Sequence, residues 1–185
     1  MQKNLFFLSI VLLAMVSCAQ PQSEEVNHVY ILSTNDMHAN IEAMPRLATL
    51  VKEYEAKGEV LLVDSGDRVT GNAYVDDDAE PGVPMIELMN EVGYDVVTLG
   101  NHEFDNGCEA LCAMLSAFDG VTVSSNYTFN RSDLQEVVES VWMCETGGVK
   151  VGFVALNINP EGLLFPLYAQ DVNYHDPIAY GDSAA

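Results

Sequence analysis

Three short polar segments contain the residue types that carry chemistry, and each directly follows an apolar stretch of the sequence. They are Thr34-Asn35-Asp36-Met37-His38, Asp64-Ser65-Gly66-Asp67 and Gly100-Asn101-His102-Glu103-Phe104-Asp105. Together they offer carboxylates, imidazoles and an amide but no thiolate, a donor set that suits hard or borderline divalent metal ions. Taken alone, the third segment is equally compatible with a simple turn that caps a helix, so only the three segments together indicate a functional site.

The apolar stretches before these segments predict buried strands. They cover His28 to Leu32, Val60 to Val63 and Asp95 to Leu99, and they are rich in β-branched residues. Their spacing is about one strand–helix–strand unit, roughly 30 residues or more. Right-handed crossovers bring the carboxyl ends of parallel strands to one edge of a sheet. We therefore predict an α/β fold in which the three polar segments meet in one pocket, where open sheets bind ligands.

The intervening sequence predicts the remaining elements. Helices are expected over Ile41 to Tyr54, Pro84 to Val92 and Cys108 to Phe118, a strand over Val121 to Asn126, and a hairpin around Gly147-Gly148 that joins Val141 to Glu145 with Lys150 to Leu156. Arg68 to Gly82 is expected to be a loop. Its acidic run Asp76-Asp77-Asp78 lacks the spacing of an EF-hand calcium loop, which favours a solvated loop over a calcium site.

The three polar segments resemble the motifs of the calcineurin-like metallophosphoesterases. The matching residues are Asp36-x-His38, Gly66-Asp67 and Gly100-Asn101-His102-Glu103, and the flanking residues of Ser33 to Asn40 and Gly100 to Asp105 are similar to the bacterial 5′-nucleotidase / 2′,3′-cyclic phosphodiesterase / UDP-sugar hydrolase branch. The resemblance runs from about His28 to the end of the chain. It implies the N-terminal half of a metallophosphoesterase αββα sandwich, a partial domain over residues 28–185.

The resemblance also implies a site for two divalent ions, whether manganese, zinc, magnesium or calcium. Asp36 and His38 would hold the first ion, Asp67 would bridge the two, and Asn101 would hold the second through its amide oxygen. Two ions roughly 3.5–4 Å apart neutralise a phosphoryl group and activate water for in-line attack. The expected substrate is a nucleotide or another small phosphate ester.

His102 and Asp105 are the catalytic residues that the resemblance implies. His102 would stay off the metal ions and donate a hydrogen bond to the phosphoryl group or the leaving oxygen, while Asp105 would orient its imidazole and hold its charge. Asp64 is expected to be a buried turn residue rather than a ligand. Glu103 is expected to serve as a helix-capping or hydrogen-bonding residue.

The metal site implied by the family is incomplete in this chain. The family takes further histidine ligands from later motifs, whereas the sequence contains only His28, His38, His102 and His175, and His175 is a weak candidate. We therefore expect an exported, metal-dependent phosphoesterase of the 5′-nucleotidase type whose chain is truncated. The alternative is a non-catalytic lipoprotein fragment that retains only the first half of the fold, and a third possibility is that a separate chain supplies the missing half.

The N-terminal residues predict export. Lys3 precedes the apolar run Leu5 to Val16, which is shorter than the about 20 residues that span a bilayer but suits a signal peptide. Because Ser17-Cys18 follows at its end, residues 1–17 are predicted to be a lipoprotein signal peptide, Cys18 to be lipidated, and 18–27 to be a tether. The protein would then be anchored to a membrane in the bacterial periplasm or cell envelope. The alternative is an ordinary signal peptide with an incidental cysteine.

Charge and cysteine content exclude other classes of protein. The chain has 7 Lys+Arg against 28 Asp+Glu and a net charge of −21, which argues against binding to nucleic acid. With Cys18 lipidated, the odd number of remaining cysteines gives no disulfide framework. Cys108 and Cys112 lie on the apolar side of a predicted helix and are expected to be small core residues rather than metal ligands.

Overall fold

The computed structural model describes residues 28–178. The predicted signal peptide, Cys18 and the tether lie outside these described residues. The strands in this range are β1 (Val29–Thr34), β2 (Glu59–Asp64), β3 (Val96–Val97), β4 (Val121–Val123), β5 (Tyr127–Phe129), β6 (Val138–Glu139), β7 (Trp142–Thr146), β8 (Val149–Phe153) and β9 (Val172–Tyr174). The α-helices are α1 (Met44–Glu55), α2 (Ala73–Asp76), α3 (Val83–Val92), α4 (Gly107–Ser116), α5 (Ser132–Val137) and α6 (Pro166–Ala169). Two 3-10 turns, Ile41–Ala43 and His102–Phe104, complete the described elements.

Five parallel strands form the central sheet, in the order β1-β2-β3-β4-β6. The register places Thr34 beside Asp64 and Asp64 beside Val97. The carboxyl ends of β1, β2 and β3 therefore lie next to one another at one edge of the sheet. This arrangement confirms the predicted α/β class with parallel strands.

One face of the sheet is covered by α1, α3 and α4. Val51, Met85 and Leu111 from these helices are buried in a common core with Leu62 and Val97 from the strands. Side chains of a strand alternate between the two faces of the sheet, so Leu62 points to the helices while its neighbour points away. The helices therefore anchor the strands whose carboxyl ends carry the polar segments.

The other face of the sheet is also apolar but less completely covered. Leu61, Val96 and Val123 are buried there, while Ile31 in β1 is 53% exposed. Further exposed apolar side chains follow β8, namely Val154, Leu156 and Ile158. A sheet that is apolar on both faces is typical of a layered α/β fold with a layer on each side.

The predicted hairpin is present as the antiparallel pair β7–β8. Gly147 and Gly148 both have positive φ angles, 56° and 78°. Consecutive left-handed residues form the tight turn whose twist matches that of the strands, which is why two glycines occupy it. A second antiparallel pair, β5–β9, was not anticipated as a pair.

Several predicted elements are shorter in the structure, for a physical reason. The strand expected over Asp95 to Leu99 pairs only at β3, because the Leu99 carbonyl accepts a hydrogen bond from the Asn157 side chain. The strand expected to reach Asn126 ends at Val123. Beyond it, the Ser125 hydroxyl donates to the Ser140 carbonyl (2.6 Å). Side-chain hydrogen bonds thus hold the backbone where the chain turns into loops.

The loop predicted over Arg68 to Gly82 contains the short helix α2. Asn72 caps it, because its side chain accepts a hydrogen bond from the Tyr74 backbone (3.0 Å). Helix α3 begins near Pro84 and ends before Gly93, as predicted. Pro84 lies in its first turn, and Gly93 ends it with a φ of +91°.

The cysteines of the described range are free. Cys108 is buried in the core as predicted, and Cys112 and Cys144 are partly buried. Within residues 28–178, no helix is long and apolar enough to cross a bilayer.

Candidate active site

The loop after β1 lies directly against the loop after β2. The Asp36 amide donates to the Gly66 carbonyl (3.0 Å) and the His38 amide donates to the Asp67 carbonyl (3.0 Å). The next amide, that of Ala39, donates to the Arg68 carbonyl (2.8 Å). This run of backbone hydrogen bonds fixes the first two polar segments beside each other.

The third polar segment joins the other two through His102 and Gly100. The His102 amide donates to Asp67 Oδ1 (2.9 Å), and the rings of His38 and His102 lie with their centroids 5.0 Å apart. The backbones of Gly66 and Gly100 also lie in close contact, because a Cβ added to Gly66 would be 2.5 Å from the Gly100 nitrogen. All three segments, far apart in sequence, meet at the carboxyl edge of the sheet.

His38 is held with one ring nitrogen available. Its Nδ1 donates to the Thr70 carbonyl (3.2 Å), which can only accept, so in the neutral imidazole the lone pair lies on Nε2. Asp36 Oδ1 lies 3.9 Å from that Nε2, and both side chains are exposed. A neutral imidazole whose other nitrogen is hydrogen-bonded to a carbonyl is the usual form of a histidine that binds metal.

Asp67 and Asn101 line the same cavity, of about 370 Å³, between the edge of the sheet and residues 153–158. One oxygen of Asp67 accepts from His102, as described above. The Asn101 side chain makes no capping hydrogen bond to the 3-10 turn that it precedes, so its amide oxygen is not used to satisfy that turn.

The donor chemistry of these residues fits a hard or borderline divalent ion, because carboxylate, imidazole and amide oxygen are all suitable ligands. The set is nevertheless sparse. Within residues 28–178, no three or more His, Cys, Asp and Glu side chains cluster closely enough to hold a metal ion.

His102 and Asp105 form the close pair that the sequence predicted. His102 Nδ1 donates to Asp105 Oδ2 (2.8 Å), and this hydrogen bond raises the pKa of the imidazole above its usual value, assisted by the negative charges of Asp105, Asp67 and Glu103 and opposed by burial. The histidine is therefore protonated to a higher pH than a free imidazole. A cationic imidazole in this place can donate a hydrogen bond to an anionic group.

The backbone of the site is unusual. Asp36, His38, Ala39, Asp67 and Thr70 all have positive φ angles between 46° and 68°, in a region that side-chain-bearing residues rarely occupy. Such residues typically carry strain of about 1–3 kcal/mol each, and they persist only where surrounding contacts determine the conformation. The five residues lie in the two loops of the candidate site.

Other residues considered from the sequence take structural positions. Asp64 is 3% exposed and accepts hydrogen bonds from Thr34 Oγ1 (2.7 Å) and the Gly66 amide (3.0 Å). Burial raises its pKa, against the opposing effect of Arg68. His175 Nε2 contacts Thr128 Oγ1 (3.0 Å) in the β5–β9 pair.

The acidic run was predicted to be a solvated loop, and this is wrong for its first residue. Asp76 ends α2, and its Oδ2 accepts from the Gly71 amide (2.8 Å) and the Asn72 amide (3.0 Å). It thereby shapes the turn whose Thr70 carbonyl holds His38. Asp77 and Asp78 are exposed as expected.

Sequence reasoning also missed two buried amides, Asn126 and Asn157. Asn157 donates from Nδ2 to the Leu99 carbonyl, and its backbone amide donates to Asn126 Oδ1 (2.6 Å). Both are nearly fully buried. They tie the segment after β8 to the chain just before Gly100. The only sequence signal was an asparagine at the end of an apolar run, which is too common to single out.

Comparison with known proteins agrees with this geometry. The sequence model of the calcineurin-like phosphoesterases matches residues 29–179. The chain is 30% identical to the trifunctional nucleotide phosphoesterase protein YfkN of Bacillus subtilis over 81% of this chain and 12% of that protein. It is 28% identical to the 5′-nucleotidase of Vibrio cholerae over 91% of this chain and 33% of that protein.

The fold is likewise similar to a solved structure. It matches the 5′-nucleotidase precursor from Thermus thermophilus with a TM-score of 0.73 and 25% identity, over 83% of this chain and 33% of that one. The chain thus spans a third or less of the length of these related proteins. It matches the N-terminal part of a 5′-nucleotidase fold, as the resemblance implied. The chain belongs to the calcineurin-like phosphoesterases, a family of hydrolases that use divalent metal ions.

Proposed function

We propose that this chain is the N-terminal part of an exported, metal-dependent phosphoesterase of the 5′-nucleotidase type, which hydrolyses phosphate esters of nucleotides. The observation that supports it most is the meeting of the three loops, in which His102 binds Asp67 through its backbone and lies beside His38. The names of the relatives, two of them 5′-nucleotidases, support the substrate class.

In this proposal Asp36, His38, Asp67 and Asn101 hold two divalent ions. Ions bound there would supply positive charge for the phosphoryl oxygens and Lewis acidity to activate water. Asp67 would accept both ions on one carboxylate, while Asn101 would offer a neutral oxygen. His102, whose protonated form Asp105 favours, would donate a hydrogen bond to the phosphoryl group or the leaving oxygen.

We propose that the remaining ligands come from residues that do not belong to this sequence. Support comes from the partial donor set of the described residues and from the fraction of each relative that the chain spans. The exposed apolar side chains Ile31, Val154 and Leu156 also offer a surface on which further structure can pack.

The competing function is a non-catalytic lipoprotein fragment. Its strongest support is the same partial donor set. It predicts that neither this chain nor a longer gene product hydrolyses phosphate esters, whereas the phosphoesterase predicts metal-dependent hydrolysis in the completed protein. The presence of a Gly-His-x-His motif in the downstream reading frame would favour the enzyme.

The test is a phosphatase assay on this chain and on any longer product of the gene. We expect the longer product to hydrolyse p-nitrophenyl phosphate and a nucleoside 5′-monophosphate with added manganese, and to lose that activity with a chelator. The 185-residue chain alone is expected to show little turnover. Chelator-insensitive hydrolysis, or inactivity of the completed protein with each of the four metals, would argue against the proposal.

We further propose that the protein is lipid-anchored at Cys18 in the cell envelope. The support lies in the sequence alone, where Lys3 and the apolar run Leu5 to Val16 precede Ser17-Cys18. Expressed in a bacterium, the chain should partition into detergent with a mass increased by acyl groups, and Cys18→Ser should abolish the increase. An unmodified, water-soluble wild-type product would contradict the anchor.

A further inference from the structure

A single buried carboxylate connects two of the three loops of the site. Glu103 is 3% exposed, and its Oε1 accepts from the Arg68 amide (2.9 Å). Its Oε2 accepts from the Asp67 amide (2.9 Å) and from the Gly100 amide. Three backbone donors on two loops therefore converge on one side chain, which itself follows Asn101 and His102 in sequence.

Arg68 provides a positive charge beside the Glu103 carboxyl group. Its guanidinium is completely buried, with Nη1 3.7 Å from Glu103 Oε1 and Nε donating to Asp64 Oδ1 (2.9 Å). A third nitrogen, Nη2, donates to the Thr98 carbonyl. Burial alone lowers the pKa of the guanidinium, but the carboxylates of Glu103 and Asp64 raise it overall, so Arg68 stays charged.

A buried charge is costly unless it is paired and hydrogen-bonded. The chain has only 7 basic residues, and it places one of them, fully buried, directly behind the candidate ligands. Well-packed apolar residues would often stabilise a fold as well or better than a buried ion pair. The buried Arg68–Glu103 pair is therefore better explained by the backbone that it holds in place than by a gain in the stability of the fold.

The residue that it fixes is Asp67. Asp67 has a φ of +52° and follows Gly66 at +99°, so its backbone is strained and needs external contacts to hold it. Its amide is held by Glu103, and its Oδ1 is held by the His102 amide. The direction of the Asp67 carboxylate thus depends on the Glu103 carboxylate that ties its loop to Gly100.

We propose that Glu103, charge-balanced by Arg68, is a positioning residue that sets the affinity of the site for divalent ions by fixing the Asp67 loop against the Gly100–Asn101 loop. It contacts neither substrate nor metal in this account. The inference rests on the proposed metal site, and it goes further by assigning the geometry of that site to a residue outside the predicted ligand set.

The test is Glu103→Gln in the whole chain, with Glu109→Gln as the matched control. Glutamine has the same shape but only one acceptor oxygen, so it cannot accept from all three amides. Without metal, the amide protons of Asp67, Arg68 and Gly100 should shift upfield in the NMR spectrum as their bonds to a carboxylate weaken. Glu109 is exposed on α4, and its replacement should leave these three signals unchanged.

Metal binding is the second readout. At the manganese concentration that half-broadens the backbone amides of residues 36–38 in the wild type, Glu103→Gln should show strongly reduced broadening, because loss of an outer partner typically reduces metal affinity about 10–100-fold. Leu111→Ala, a buried core change on α4 outside the three polar segments, should lower the melting temperature but keep the broadening. If Glu103 only stabilised the fold, Glu103→Gln and Leu111→Ala should lose manganese broadening equally.

The outcomes separate this inference from the proposed function. If the wild type itself does not bind manganese, the metal site fails and the inference fails with it. If the wild type and Glu103→Gln bind manganese equally well, only the positioning role is overturned. The same holds if Leu111→Ala loses as much manganese binding as Glu103→Gln. Should Glu103→Gln not fold, Arg68→Lys takes its place, because lysine keeps the charge but cannot reach Asp64, Glu103 and Thr98 together.

Discussion

Replacing Asp67 with asparagine is expected to abolish metal-dependent hydrolysis in the completed protein and manganese binding in this chain. The proposed bridge needs a charged carboxylate with an oxygen for each ion. The asparagine side chain offers one neutral carbonyl oxygen and an NH2 group, which cannot bind a cation. Asp67 Oδ1 also accepts from the His102 amide, and a neutral oxygen weakens that bond. The loss of activity should exceed the about 100-fold that is typical for outer partners of a metal.

Asp77→Asn is the control for this change. It removes one negative charge from an exposed residue of the same loop region, outside the three polar segments. Its activity with p-nitrophenyl phosphate should match the wild type. If Asp67→Asn kept its activity while remaining sensitive to chelators, Asp67 would not be the bridging ligand.

Gly100→Ala is expected to disrupt the site without any change of charge. A Cβ on Gly100 would lie 2.6 Å from the Asp67 nitrogen and 2.5 Å from the Asp67 Cγ, distances that real Cβ atoms do not reach. The two loops must then separate, which breaks the hydrogen bond from the Gly100 amide to Glu103. We expect the free energy of unfolding to fall by about 1–3 kcal/mol, as for overpacking, and manganese binding to be lost.

Gly148→Ala is the matched control for the glycine change. Gly148 lies in the β7–β8 turn with a φ of +78°, and a Cβ there would meet no atom within 4 Å. This variant should lose some stability from backbone strain but keep manganese binding, as measured by denaturant unfolding and metal titration. Normal metal binding by Gly100→Ala would mean that the close approach of the two loops is not needed for the site.

The sequence was sufficient to predict the parallel sheet and the meeting of the polar segments. Regular spacing and β-branched runs locate β1, β2 and the start of β3, and the crossover rule then places their carboxyl ends side by side. The resemblance to the family also implied the His102–Asp105 pair, and the two side chains are hydrogen-bonded in the structure.

The support behind the site was not predictable from the sequence. Arg68 follows Asp67 directly, and a basic residue in a polar loop normally lies in solvent. Its burial results from Asp64 and Glu103, which are distant in sequence and reach it only once the sheet has formed. Glu103 itself was expected to cap or hydrogen-bond, but its partners on the Asp67 loop depend on tertiary structure.

The ends of the strands were mispredicted for a related reason. Leu99 continues an apolar run, yet its carbonyl accepts from the Asn157 side chain. The Ser125 hydroxyl likewise bonds to the backbones of Ser140 and Ala155. Asp76 was likewise placed in solvent because its neighbours are acidic, whereas one of its oxygens organises the turn beside His38. Local patterns do not show which polar side chains will capture a distant backbone.

The most direct test of the central claim, that the three loops form one metal centre, is paramagnetic broadening by manganese in the NMR spectrum of the metal-free chain. We expect amides of Asp36, Asp67 and Asn101 to broaden together at the same manganese concentration and to recover on chelation. Glu59, at the opposite end of β2, should stay sharp. Broadening confined to one loop, or to the acidic surface around Asp77 and Asp78, would contradict the account.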